Sequence, residues 1–153
     1  MSILSKIFGE PAPTPAPLRI HHPTLGELTW QDEGWWEGVW TVNGEFPLER
    51  AASKSLEFSV SGDRKAPSDT LVSALERTLS RWPDVNQRLQ HYLGSLEPRA
   101  ASAAASLRPT AVSYLWPAKP NYFTVELALE GDEGAIWRVE FERGEPKHLS
   151  RDD

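Results

Sequence analysis

Cysteine is absent from the 153-residue chain. Disulfides, thiolate catalysis, Cys-ligated zinc and iron–sulfur clusters are therefore excluded. No apolar run approaches the roughly 20 residues that a bilayer-crossing helix needs, so no transmembrane segment is expected. Cations are outnumbered: Lys+Arg total 16 against 22 Asp+Glu, for a formal net charge of -6, and no run of Lys and Arg occurs. Nucleic-acid binders draw on clustered cations to hold phosphates, so no nucleic-acid partner is expected. An acid excess suits solubility, or docking on a basic protein.

Catalytic signatures are missing as well. There is no Gly-x-Ser-x-Gly elbow, P-loop or dinucleotide fingerprint. The histidines are His21, His22, His91 and His148. His21 and His22 are adjacent on a strand and point to opposite faces, which does not favour chelation of one metal. Neither a metal nor a cofactor is expected. Glu27, Glu37, Glu126 and Glu140 are strand carboxylates whose spatial pairing one sequence does not reveal. They read as solvated strand faces or as cross-strand partners of Arg50 or Arg138. The balance is against an enzyme, with an unrecognised catalytic site as an alternative.

What the chain does have is tryptophan. Four of its seven tryptophans lie between Trp30 and Trp40. Each indole can bury a large apolar area, so the run either anchors a core or builds a stacking surface. Alternation places Trp36 and Trp40 on one face of a strand and Trp35 on the other, with Trp35 the ring expected outside the main core. Trp35, Trp36, Trp40, Glu33 and Glu37 are the candidate binding residues, with Asp32 as a further acceptor.

At the N-terminus, Ile3, Leu4, Ile7 and Phe8 share one face of a short helical turn. This turn is too short and broken for a signal-peptide core. It reads as a surface anchor or as a lead folded back on the domain. Pro11, Pro13, Pro15 and Pro17 follow in an extended, polyproline-like spacer. Residues 1–17 are thus a lead and spacer, and residues 18–153 a single domain.

From Leu18 to Gly62 the texture is β. Leu18, Ile20 and His22 alternate, as do Leu56, Phe58 and Val60 with Glu57 and Ser59. Asn43-Gly44 predicts a hairpin from the Trp40 strand to the segment Phe46–Arg50. Residues 67–96 carry helical stripes: Leu71, Leu75, Leu79 and Trp82, then Val85, Leu89, Leu93 and Leu96. Ser68 and Asp69 offer an N-cap and a first-turn acid. Pro83 predicts a break near Trp82. Pro98 to Arg108 is a third short helix or a loose connection. Strands follow over residues 111–116, 122–129 and 136–141. Gly131 to Gly134 is a turn, Arg143-Gly144-Glu145 another, and Pro146 to Ser150 a last edge.

Strands, then helices, then strands indicate an α+β fold, with a mostly antiparallel sheet and the helical segment of about residues 67–96 packed on one face. Leu75, Leu79, Leu89, Phe58, Val125, Leu127, Trp137 and Val139 are the expected core.

His22-Pro23-Thr24-Leu25-Gly26-Glu27-Leu28, followed by Trp35-Trp36-Glu37-Gly38, resembles the opening of a group of small bacterial domains of unknown function. The tail, Gly131-Asp132-Glu133-Gly134 with Trp137-Arg138-Val139-Glu140-Phe141, is similar to theirs, and the resemblance covers most of residues 20–153. It supplies no catalytic residues. It implies a bacterial immunity or accessory protein of the kind encoded beside toxins. The function expected is a cytoplasmic, non-catalytic, protein-binding module with a basic partner. The alternative is a carbohydrate- or small-ligand-binding module using the Trp30–Trp40 cluster.

Overall fold

Among the described residues, apolar and polar side chains alternate on both sides of the helical segment, and each alternating stretch forms a strand. The computed structural model describes residues 15–41, 55–129 and 131–152. Strands β1 (Arg19–His22), β2 (Gly26–Gln31), β3 (Trp35–Thr41) and β4 (Ser55–Ser61) come first. Helices α1 (Asp69–Ser80), α2 (Trp82–Gly94) and α3 (Pro98–Ala104) follow. Strands β5 (Leu107–Tyr114), β6 (Tyr122–Leu129), β7 (Asp132–Glu142) and β8 (Glu145–Asp152) complete the chain. The N-terminal turn, the start of the proline spacer and the Asn43-Gly44 hairpin with Phe46–Arg50 lie outside the described residues.

The eight strands of the described residues form one open sheet in sequence order. Every neighbouring pair is antiparallel except β4 and β5, which run parallel. A parallel pair needs a long crossover, and the helices supply it. The fold is thus α+β and mostly antiparallel.

The registers sort the side chains into faces. Gly38, Phe58, Val112, Val125, Val139 and Leu149 lie side by side across six strands, β3 to β8. The next row reads Glu37, Ser59, Ser113, Thr124, Glu140 and His148. Successive residues of a strand point to opposite faces, so one face is apolar and the other polar. Phe58, Val112, Val125 and Val139 belong to a hydrophobic cluster that also takes in Leu71, Leu75, Leu79, Leu89 and Leu93 from the helices.

The helix break falls where proline predicts it. Arg81 separates α1 from α2, and Pro83 occupies the first turn of α2, where a missing N–H is harmless. Ser68 holds the N-cap position of α1 but its side chain makes no capping hydrogen bond. Its carbonyl instead accepts the Val72 N–H at 2.8 Å. The alanine-rich stretch forms α3, and its Ala104 joins the core.

Several boundaries differ from the sequence reading, among them the start of β5 at Leu107, within the stretch read as helix or connection, and the extension of β8 to Asp152. β5 ends at Tyr114, leaving Leu115 and Trp116 beyond it; Trp116 packs edge-on to Tyr122 with ring centroids 4.9 Å apart. Asp132 already pairs with Leu129, so the turn at Gly131 is tighter than a four-residue Gly-Asp-Glu-Gly turn. Of the expected core, all but Trp137 are buried; Trp137 is half-buried, beneath the Arg151 guanidinium at 5.6 Å.

Candidate functional site

The tryptophan run is divided by its own strand. Trp36 pairs with Val60 and Trp30, and Trp40 pairs with Leu56, all on the apolar face. Trp36 is 0% exposed, and its Nε1–H donates to the Asp63 carbonyl at 2.9 Å. Trp30 packs against it with ring centroids 5.3 Å apart. Trp40 is partly buried against the same core. Trp36 is therefore an anchor of the core, with no surface left for a ligand.

Asp63 links this anchor to the helices. Its Oδ1 accepts the backbone N–H groups of Lys65 at 2.7 Å and Ala66 at 3.1 Å. These two bonds hold its carboxyl below the ordinary carboxylate value. Ser68 N–H then donates to the Ser61 carbonyl at 2.9 Å, which fixes the start of α1 beside the end of β4.

Trp35 and Glu37 lie on the polar face. The Glu37 carboxylate accepts the Trp35 Nε1–H at 2.8 Å and a Gln31 Nε2–H at 2.9 Å. This triad holds the Trp35 indole in one orientation, half-buried and beside the sheet. Glu33 and Asp32 are exposed in the turn between β2 and β3, which Gly34 closes at φ 112. The five candidate residues therefore occupy three places: Trp36 and Trp40 on the apolar face, Trp35 and Glu37 on the polar face, and Glu33 in a turn.

The polar face carries a groove of about 770 Å³. Its shape follows from side-chain size. Ser59, Ala111 and Ser113 come together at the middle of the sheet through the β4–β5 pairing and make a low floor. Trp35, Glu37, Glu57, Glu126 and Arg138 are longer and stand around it. Four carboxylates line the groove, Glu27, Glu37, Glu57 and Glu126, against the single guanidinium of Arg138. Arg138 is itself engaged, donating from Nε to Glu126 at 3.1 Å and pairing through Nη1 with Asp152. Glu27 pairs with Arg19 at 3.2 Å on the exposed edge. Val39 adds apolar surface and is 58% exposed.

Glu57 and the small-residue floor escape a reading of the sequence. Glu57 looks like any polar residue of a half-buried strand. Its place in an acidic groove depends on the neighbours that β3 and β5 bring to it, Val39 and Ala111.

No histidine lines this groove. His22 Nδ1 lies 3.3 Å from the backbone N–H groups of both Thr24 and Leu25, which it accepts to close the β1–β2 turn. Among the described residues no group of three or more His, Asp or Glu side chains is placed to hold a metal ion. Likewise, no described helix is long and apolar enough to cross a membrane. The chain matches no protein-family model, no curated protein and no solved structure.

Proposed function

We propose that this chain is a non-catalytic binding domain that receives a basic protein partner on the polar face of its sheet. In this reading α1 and α2 cover the apolar face and leave the polar face free. The shared hydrophobic cluster of helix and strand residues supports that arrangement. The observation that carries the proposal is the charge of the groove: Glu27 is paired with Arg19 and Glu126 with Arg138, which leaves Glu37 and Glu57 without a cationic partner among the described residues. A partner presenting Lys or Arg beside apolar side chains would meet Glu57 and Glu37 together with Val39 and Trp35. Electrostatic complementarity of this kind sets specificity and association rate, and half-exposed aromatic residues make good anchors.

The net charge of -6 and the resemblance to small bacterial domains favour an immunity or accessory role in the cytoplasm. A carbohydrate platform built on the tryptophan run would have one indole, Trp35, on the polar face. The protein-binding reading therefore fits the geometry better.

Glu57 is the position to test, because Glu37 also orients Trp35 and Gln31. The tagged protein and its Glu57→Lys variant would be recovered from the native host at low and moderate salt. A basic, stoichiometric partner that leaves as salt rises, and that the folded variant fails to retain, is the expected result. A partner retained equally by both proteins would remove this face from consideration.

A further inference from the structure

A second concavity, of about 440 Å³, lies between the α1–α2 bend and the β7–β8 hairpin. Four arginines line it: Arg77 and Arg81 from the end of α1 and the bend, Arg88 from α2, and Arg143 from the hairpin. Asp84 is the one acidic residue in its wall. This concentration of cations occurs in a chain whose net charge is -6.

Arg88 has a structural task. Its Nη1 donates to the Gly144 carbonyl at 2.9 Å and to Glu145 Oε1 at 3.0 Å, tying α2 to the hairpin. Arg77, Arg81 and Arg143 make no side-chain hydrogen bond or ion pair with any described residue. Counting Glu145 with Asp84, four guanidiniums face two carboxylates, an excess of two positive charges. The C-terminal dipole of α1 favours Arg77 and Arg81, and the N-terminal dipole of α2 favours Asp84, but neither accounts for Arg143, which comes from the β-hairpin.

Arg143 is independently unusual. It has φ 53, followed by Gly144 at φ 79. Two central residues with positive φ make the tight hairpin turn that favours Asn, Asp or Gly at its first position. Arginine is a strained choice there, and it places a guanidinium-bearing side chain in the pocket wall. The interior is of a different character. Tyr114 and Thr78 are buried, with their hydroxyl oxygens 2.7 Å apart, and Ala74, Val85 and Phe123 supply apolar surface.

We infer that this pocket binds a phosphorylated small molecule, with its phosphate held by Arg77, Arg81 and Arg143 at the rim and its body against the apolar interior. The guanidinium fork matches phosphate oxygens in pairs. A phosphate or pyrophosphate group balances the excess of two charges, and it presents tetrahedrally arranged oxygens to the guanidinium forks, a geometry that a polycarboxylate of similar charge such as citrate lacks. The volume lies within the range of about 300–1,000 Å³ common to small-ligand pockets. The site is separate from the acidic groove and stands whether or not a protein docks there.

The full chain would be titrated with sodium pyrophosphate by calorimetry, with sodium citrate as the carboxylate comparison. Saturable pyrophosphate binding that weakens at least about tenfold in both Arg81→Gln and Arg143→Gly is expected. Arg143→Gly relieves the backbone strain, so its thermal midpoint should hold or rise while binding falls. Glu57→Lys should bind pyrophosphate as the parent does. Absence of saturable binding at millimolar pyrophosphate overturns the inference. So does equal affinity for citrate, or affinity unchanged in the arginine variants.

Discussion

The Tyr114 phenol and the Thr78 hydroxyl share a hydrogen bond of 2.7 Å, with both residues buried where α1 meets β5. It is a polar contact inside an otherwise apolar seam, since Tyr114 stacks on Phe123 at 5.1 Å and Phe123 on Phe141 at 4.7 Å. Removing one hydroxyl deprives the other of its protein partner. Tyr114→Phe and Thr78→Val should each destabilise the fold by about 1–3 kcal/mol. The double variant should lose clearly less than the sum. Urea unfolding of the four proteins checks this, and strictly additive losses would mean that the bond contributes nothing.

The same phenol makes stability sensitive to alkali. Burial holds the Tyr114 proton above the ordinary value of 10.0, against the opposing pull of the Thr78 hydrogen bond and the Arg77 charge. Tyr122 shifts the same way through desolvation, with Glu140 and Glu142 adding to it. In the unfolded chain these phenols ionise at the ordinary value; in the fold they keep their protons longer. Their contribution is complete below about pH 10 and is lost as pH rises through the folded values. Thermal midpoints should therefore fall above about pH 10, and Tyr114→Phe should flatten that fall. An unchanged slope in the variant would show that Tyr114 is not the group responsible.

Gly38 is needed for its lack of a side chain. A Cβ there would meet Phe58 Cζ at 2.4 Å and Leu28 Cδ2 at 3.0 Å, both in the packed core. Gly38→Ala should destabilise by about 1–3 kcal/mol through overpacking. Gly94 has nothing within 4 Å of the same position, so Gly94→Ala should be neutral or slightly stabilising, by up to about 1 kcal/mol. Chemical denaturation of the pair separates a crowding effect from a general intolerance of alanine.

Adjacent tryptophans should behave differently. Trp36→Ala removes a fully buried indole and should cost about 3–5 kcal/mol. Trp35→Ala loses partly exposed surface and the bond to Glu37, and should cost about 1 kcal/mol. Equal losses in urea titrations would mean that both rings are core, and that Trp35 is not free to meet a partner.

Much of this architecture is local in origin and was legible. Leu56, Phe58 and Val60 announce a strand because period two is a property of an extended chain, and Pro83 announces a break because it lacks an N–H. Alternation also separated Trp35 from Trp36 and Trp40. The acidic groove and the arginine-lined pocket were less legible. No run of Lys and Arg exists in the chain, so nothing in its order signals a cationic pocket.

Residue order by itself determined the strands, the two main helices, the bend at Arg81 and the apolar phase of each element. These follow from backbone geometry and from the spacing of side chains a few residues apart. Only the tertiary structure decided which elements became neighbours. The parallel pairing of β4 with β5 sets Glu57 beside Ala111, and the β5–β6 pairing sets Glu126 on its other side, which makes the acidic groove. The Arg88 strut to Gly144 and Glu145 brings the hairpin against α2, so that Arg77, Arg81 and Arg143 line one cavity. Contacts across so many residues depend on which apolar surfaces bury one another, and the local period of the chain does not encode that choice.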